Sequence, residues 1–354
     1  KPSLIRMKSV IAWPAPKARN TAESHGSALG ADEIAATKTL LGLNPEEHFA
    51  MPTEVLAHVR GAKDRGISLH KNWNSKFEKW QKENPDRATL LKRLVAGELP
   101  KNWDSELPQY PAGKDVATRK ASGDVIAAIA KVLPEFWGGS ADLAGSNNTT
   151  ISSAGSFLPA TSVMKDANPY GRMIHFGIRE HAMGSILNGI ALHGLSRSFG
   201  GTFAVFSDYM RPAVRLAAIM DLPSIFIWSH DSIGLGEDGP THQPVEHLAA
   251  LRAIPNFDVV RPGDANEVRE AWKVILQRRK PAGLLLSRQN LPVVDRSTHG
   301  DLSLVEKGAY ILKEASGAPD IVLIATGSEV GVALATQELL EAKGLSTRVV
   351  SAPC

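Results

Sequence analysis

A chain of 354 residues with 43% hydrophobic and 22% charged side chains has room for about two to three domains and matches an ordinary globular composition, which excludes the disordered and low-complexity classes. Forty basic against thirty-seven acidic residues leave a formal charge of +3, interspersed rather than gathered into a stripe or tail, so nucleic acid is not an implied partner. The one cysteine, Cys354, leaves no intrachain disulfide or multi-cysteine metal site and fits a reducing cytoplasm, and no apolar run reaches the roughly 18 residues of a membrane helix.

In chain order, Lys1-Pro2-Ser3-Leu4-Ile5-Arg6 has no initiating Met and none of the features of a signal peptide, so the chain is expected to start inside a protein. Leu4 to Trp13 predicts a strand. A loop with Pro14, Pro16 and His25-Gly26 follows, and Asp32 opens a helical stretch. From Pro52 to about Leu99 the pattern is helical and rich in Lys, Glu and Trp, and the polar, proline-containing run Pro100 to Gly113 predicts a linker.

From Val116 onward strands and helices alternate. Gly123 to Val132 predicts a helix, Phe136 to Ser140 and Met173 to Ile178 strands, and Glu180 to His193 a helix dense in small residues. Ser198 to Phe206 is strand-like, Asp208 to Asp221 helical, Ser224 to Ser229 a short apolar strand and Pro244 to Arg252 a helix. Phe257 to Arg261, the amphipathic Ala265 to Arg279 and Ala282 to Ser287 close the series. Short apolar strands between helices argue for an α/β fold with a doubly wound, mostly parallel sheet. A further unit starts near Leu302, with strands at Ile321 to Ala325 and Thr347 to Ser351 around a helix at Glu329 to Ala342. Two strands and one helix are too few to bury a core. The expected domains are therefore 1–50, a helical segment and linker 51–114, a sheet domain 115–296 and an incomplete α/β unit 297–354.

Four groups of residues carry candidate chemistry. In I-H-F-G-I-R-E-H-A-M-G-S-I-L-N-G-I-A, Glu180 falls at a strand-to-helix junction, where open α/β sheets gather ligands. The helix macrodipole alone also favours a Glu there. Ala182, Ser185 and Gly189 share one face of the helix, and small residues so spaced allow a neighbouring helix, or a subunit, to approach closely. The loop W-S-H-D-S-I-G-L-G-E-D-G-P-T-H-Q-P-V-E-H holds His230, Asp231, Glu237, Asp238, His242 and His247. That set suits acid and base work on hydroxyl groups, and its spacing also admits a divalent metal on His230, Asp238 and His242. Arg119 in V-A-T-R-K and Arg288 in L-S-R-Q-N, with Asp142 and Ser146 in G-G-S-A-D-L-A-G-S-N, are suited to phosphate or are simply surface. Phe203, Phe206 and Tyr209, after the pair in G-G-T-F-A-V-F-S-D-Y, are core aromatics or a stacking platform for a flat heterocycle.

Taken together R-E-H-A-M-G, G-G-T-F and H-D-S-I-G-L-G-E-D-G-P-T-H-Q-P, in that order, resemble the pyrimidine-binding half of transketolases, and the resemblance covers essentially the whole chain. It implies a thiamine-diphosphate-dependent enzyme of the pentose phosphate pathway, a cytoplasmic homodimer with its cofactor at the subunit interface. A ketose phosphate would be cleaved and its two-carbon ketol unit passed to an aldose phosphate. By the same resemblance Glu180 bonds the aminopyrimidine nitrogen, and Phe203, Phe206 and Tyr209 form its pocket, with Phe206 stacking. His242 and His25 contact the reacting carbonyl and hydroxyls, Asp238 reads a hydroxyl configuration, and Arg119, Ser146, His230 and Arg288 hold the sugar phosphate. The family's pyrophosphate domain carries Mg²⁺ or Ca²⁺ on a G-D-G…N motif that this sequence lacks. Residues 1–50 look like the tail of that domain, which puts the metal ligands outside the chain and makes the chain alone inactive. The resemblance leaves open a dihydroxyacetone synthase, a deoxyxylulose-phosphate synthase, or a non-catalytic half that needs a partner chain.

Overall fold

The computed structural model describes residues 4–354, which divide into two compact units, Lys1–Pro85 and Asp86–Cys354. The first unit has no β-strand among its described residues. The expected strand over Leu4–Trp13 is irregular chain ending in a turn, with Leu4, Ile5 and Met7 exposed. A strand exists only where a neighbour takes its backbone N–H and C=O groups, and this unit offers none. A single turn, Glu23–His25, precedes helices α1 (Ala31–Leu40) and α2 (Thr53–Glu83). On α2 the rings of His70, Trp73, Phe77 and Trp80 stack at three- and four-residue spacing, as the helical period demands.

The second unit begins within α3 (Pro85–Ala96), one residue after its start. The predicted linker that follows is irregular but not loose. Its Trp103 and Leu107 are buried in the main core, so the segment is a packed strap. Next come β1 (Asp115–Ala117), α4 (Thr118–Val132), β2 (Phe136–Ser140), the single turn α5 (Ala144–Asn147), β3 (Ser156–Phe157), β4 (Ala167–Asn168), β5 (Met173–His175) and α6 (Glu180–His193). β6 (Arg197–Phe203), α7 (Ser207–Ile219), β7 (Ile225–Ser229), α8 (His247–Arg252), β8 (Asp258–Val260), α9 (Ala265–Arg278), β9 (Ala282–Leu286) and β10 (Asn290–Pro292) complete the domain.

Eight of these strands form one sheet in the order β4-β3-β5-β2-β6-β7-β9-β8, and every pair in it is parallel. β7 and β9 are buried along their whole length, as strands covered on both faces must be. α9 shows why its sequence starts a helix where it does. Asp264 caps it by accepting from the Glu267 N–H at 2.7 Å, Glu267 accepts from the Gly263 N–H at 2.7 Å, and Val268, Ala271, Trp272, Ile275 and Leu276 form the buried stripe. From β2 the chain crosses to the β5 side, and from β6 it crosses to the β7 side. The neighbouring ends of β2 and β6 are therefore the switch point at which such sheets bind ligands.

The last stretch holds β11 (Tyr310–Lys313), β12 (Ile321–Ala325), α10 (Glu329–Glu341) and β13 (Thr347–Ser351). This corrects the expectation of two strands, because β11 pairs antiparallel with β13 while β12 pairs parallel with it. The third strand lets Val305, Tyr310, Leu312, Ala325, Val330, Ala333 and Val349 form a small core. Buried Glu267 ties that sheet to α9 by accepting from the Tyr310 hydroxyl at 2.6 Å and the Ser351 hydroxyl at 2.7 Å.

Candidate active site at the carboxyl edge of the sheet

Arg119 and Arg288 lie 169 residues apart in sequence, and a short antiparallel ribbon brings them together. β1 pairs with β10, Ala117 opposite Asn290, just before Arg119 and just after Arg288. Beyond the ribbon, the Thr118 N–H donates to Ser287 Oγ at 3.1 Å and the Ser287 N–H to Thr118 Oγ1 at 2.6 Å. The two guanidiniums are close enough that burial, and then Arg288, lower the Arg119 pKa from its ordinary value. Arg119 donates to the Ser146 carbonyl at 2.6 Å, while Arg288 is held by Glu237 and lies 3.7 Å from Asp238. Two neighbouring arginines at a sheet's carboxyl edge make a strong anion site.

His230 follows β7 directly, in a left-handed backbone conformation with φ 60°. Its ring is buried, packs on Phe203 with centroids 3.8 Å apart, and lies 3.6 Å from Asp238 through Nε2. Ser229 Oγ donates to Asn147 Oδ1 at 2.5 Å and stands 2.9 Å from His230 Nδ1. A hydroxyl has one proton, so Ser229 must accept from Nδ1–H, which leaves Nε2 as a lone pair facing Asp238 and the arginines. Burial, then Arg119, push the imidazole from its ordinary 6.5 down to about 4, against the pull of Asp238. His230 is therefore neutral near pH 7.

The unfolded chain binds that proton at higher pH than the fold does, so stability is lost as pH falls from 6.5 toward 4. An NMR titration of the His230 ring is expected to give a midpoint near 4, rising when an anion occupies the arginine pair. A midpoint near the ordinary 6.5 would contradict this arrangement.

Glu180 is the first residue of α6 and is 8% exposed, yet its carboxylate has no hydrogen-bond or ion-pair partner among the described residues. α6 packs beside α7, with Asn188 Nδ2 donating to the Ala213 carbonyl at 2.8 Å, and a Cβ on Gly184 would stand 2.8 Å from that of Ala213. Both helices follow parallel strands, so Glu180 and the Phe206–Tyr209 end of α7 reach the same edge. The close approach within the chain thus uses Gly184. Ser185 and Gly189 are exposed and Ala182 is half-buried, leaving that small-residue face open. Phe203 is buried between His230 and Phe206, its ring 5.7 Å from that of Phe206 and nearly parallel to it, while Phe206 is half-buried and Tyr209 is exposed. His242 stands edge-on to Phe203 and Phe206 at 5.8 and 5.4 Å.

One unit thus holds Arg119, Ser146, Glu180, Phe203, Phe206, Tyr209, His230, Asp238, His242 and Arg288 on its strand ends, the first turns of its helices and the loops between, with Ser146 reaching Arg119 through its backbone carbonyl. His25 is exposed in the other unit, Lys1–Pro85. The metal alternative at His230, Asp238 and His242 does not form. Among the described residues, the group that converges is Asp208, Glu246 and His247. There Asp208 stands 3.2 Å from Nε2 and Glu246 3.8 Å from Nδ1 of the buried His247 ring, and both carboxylates are exposed.

Sequence reasoning missed the support beneath the loop. Asn147 Nδ2 donates to Ser140 Oγ at 2.8 Å, and a Cβ on Gly201 would come within 2.8 Å of that oxygen. A Cβ on Gly200 would instead meet Leu187 and Met183 of α6. The glycine pair in G-G-T-F was the available signal, since it lets a polar network pack on one side of β6 and a helix on the other.

An all-parallel sheet with its ionisable loops at the switch point defines the class as a doubly wound α/β protein, a fold that gathers ligands at that edge. Family profiles match residues 1–100 as "Transketolase, thiamine diphosphate binding domain", 114–294 as "Transketolase, pyrimidine binding domain" and 308–354 as "Transketolase-like TK C-terminal domain". The chain belongs to the transketolase family. It is 54% identical to the transketolase of Mycobacterium tuberculosis H37Rv and 48% identical to that of Bacillus subtilis 168, over 100% of its own length and 52% of theirs. It therefore spans about half the length of the curated relatives it matches. A crystal structure of Pichia stipitis transketolase with sedoheptulose 7-phosphate superposes with a TM-score of 0.92 at 42% identity, over 100% of this chain and 52% of that one. A split-gene transketolase, solved as an inactive β4 tetramer, aligns with a TM-score of 0.53 at 27% identity, covering 68% of this chain and 72% of its own. No helix among the described residues is long and apolar enough to cross a membrane.

Proposed function

We propose that this chain carries the pyrimidine-binding and sugar-phosphate-binding side of a transketolase, which moves a two-carbon ketol unit from a ketose phosphate to an aldose phosphate with thiamine diphosphate. The observation that carries the reading is Glu180, a residue only 8% exposed whose carboxylate has no partner among the described residues, at the same edge of the sheet as the Phe206 and Tyr209 rings. A carboxyl group left without a partner in its own chain can give its proton to the ring nitrogen of an aminopyrimidine, which has a lone pair and no proton of its own, and as a carboxylate can then accept from the N–H so formed. When bound, the cofactor supplies the carbanion and electron sink of the reaction.

This chain's residues then orient the ring and move protons. Glu180 holds the pyrimidine nitrogen and its proton. Phe206 is free to stack, whereas Phe203 is already covered by His230 and backs the pocket. His242, and His25 in the other unit, exchange protons with substrate carbonyl and hydroxyls, and Asp238 accepts from a hydroxyl. Arg119 and Arg288 pair with the phosphate, with His230 Nε2 and Ser146 beside them. Domains at 1–50, 51–114, 115–296 and 297–354, a homodimer, Mg²⁺ or Ca²⁺ held outside the chain and a cytoplasmic location belong to the same proposal.

A dihydroxyacetone synthase or deoxyxylulose-phosphate synthase would share these features. The split-gene relative favours, as a second reading, a half that works only with a partner chain. Initial rates in an assembly that also contains the diphosphate-binding part decide among them. Xylulose 5-phosphate with ribose 5-phosphate should react far faster than reactions supplied with formaldehyde or pyruvate, and the reverse order would sink the transketolase reading. In the same assay Arg119→Ala and Arg288→Ala should raise KM for phosphorylated sugars about ten- to a hundred-fold, the worth of one charge-assisted contact. Little change is expected for unphosphorylated donors, and equal effects on both would remove the phosphate role.

A further inference from the structure

Asp231, next in sequence to His230, is buried. Its Oδ2 accepts from Arg261 Nε at 2.7 Å, and its Oδ1 has no partner. Arg261 follows β8, is itself 4% exposed, and extends its remaining donors into the last sheet unit. There Nη1 donates to the Thr326 carbonyl at 3.0 Å and to the Glu329 carboxylate, and Nη2 donates to Ser328 Oγ at 3.1 Å. The backbone is tied as well, since the Gly327 N–H donates to the Arg261 carbonyl at 3.0 Å and the Arg261 N–H to the Pro353 carbonyl at 2.6 Å. Gly327 has φ 59°, and a Cβ there would fall 2.6 Å from Arg261 Nε, so the β12–α10 turn is shaped around this one guanidinium.

His230 holds a left-handed backbone that a residue with a Cβ adopts only where its surroundings impose it. Two constraints flank it. Ser229 and Phe203 fix the ring on one side, and the Asp231–Arg261 pair fixes the next residue on the other.

We infer that Arg261 is a positioning residue: by clamping Asp231 it holds His230, and the loop running on to Asp238, against Arg119 and Arg288. Through Arg261 the turn Thr326–Glu329 of the last sheet unit becomes part of the support for the phosphate group's site. This rests on the proposed phosphate role of that site. Neither Arg261 nor Glu329 touches substrate. They act by geometry, and the fork of donors is what Lys cannot reproduce.

The test uses Arg261→Lys in the active assembly that includes the diphosphate-binding part, with a phosphorylated and an unphosphorylated ketol donor compared. Expected is a KM rise of about three- to tenfold for the phosphorylated donor alone, with kcat and the cofactor Kd within about twofold, the size of effect usual for residues that couple to a site without touching ligand. Equal KM changes for both donors, or none, would overturn the proposal, because a purely structural role lowers stability without distinguishing phosphate. If Arg261→Lys does not fold, Glu329→Gln, at a half-exposed carboxylate, takes its place under the same criteria. Arg288→Ala run alongside separates the two levels. If it discriminates between donors and Arg261→Lys does not, positioning by Arg261 is wrong. If Arg288→Ala itself fails to discriminate, the phosphate reading beneath it is wrong.

Discussion

Glu180→Gln is expected to reduce turnover by at least about 10² to 10⁴, the usual contribution of a positioned acid or base, while leaving the fold intact. The side chains are nearly the same size, and nothing within the chain depends on the carboxylate, which has no partner among the described residues. What changes is chemistry. A carboxylate only accepts, whereas the amide of Gln can present N–H₂ where a ring nitrogen's proton should be held. Stability gives an independent check, because the substitution breaks no hydrogen bond or ion pair among the described residues and should leave the thermal midpoint unchanged. A variant that kept more than roughly a tenth of wild-type turnover would show that the assignment is wrong. One that lost activity together with its cooperative melt would mean that Glu180 is a structural residue.

Much of the sheet domain was legible in the sequence because its elements are set by local rules. β2 spans the predicted Phe136–Ser140 and α6 the predicted Glu180–His193, and in both cases the apolar period and the flanking polar residues decide the ends. The α9 helix is fixed by Asp264 and Glu267 as a local cap. Pairing across long sequence separations was not legible. β1 and β10 have three residues each and gain their identity only from one another, yet they bring Arg119 to Arg288. β11, a four-residue strand, forms because β13 waits for it some forty residues later, and the apolar run Leu4–Trp13 stays irregular for want of such a neighbour.

The site divides in the same way. Glu180, His230, Asp238 and the aromatics were visible as residue types gathered around loops, and the motif R-E-H-A-M-G marked one of them. Their support was not visible. Ser140, Asn147 and Ser229 are small polar residues on three different elements, and only the folded chain makes them a chain of hydrogen bonds that sets the His230 tautomer. Arg261 lies in R-P-G-D, a segment that reads as the turn after a strand. Its role depends on Asp231 thirty residues before it and on Glu329 sixty-eight residues after it.

Prepared by itself, the 354-residue chain is expected to bind thiamine diphosphate at about millimolar Kd or weaker and to show no ketol transfer. The proposed site holds only one part of the cofactor. Glu180, Phe206 and Tyr209 offer one carboxylate contact and an aromatic face for the pyrimidine, which together supply a few kcal/mol, about the binding energy of a millimolar complex. The diphosphate is the strongly charged part of the molecule, and it needs a divalent ion held by oxygen ligands together with backbone or side-chain donors. Among the described residues the group of carboxylates and histidine that converges is Asp208, Glu246 and His247, and one of its three ligands is an imidazole, where Mg²⁺ and Ca²⁺ take oxygen. Arg119 and Arg288 are proposed to hold the sugar phosphate, and Arg288 is partly neutralised by Glu237 and Asp238. Adding a polypeptide that carries the diphosphate-binding part should restore both affinity and turnover. Calorimetry with Mg²⁺ and cofactor, run on the chain alone and on the mixture, is the measurement. Micromolar affinity or measurable transfer without any second polypeptide would show that the diphosphate and its metal are held by residues of this chain after all.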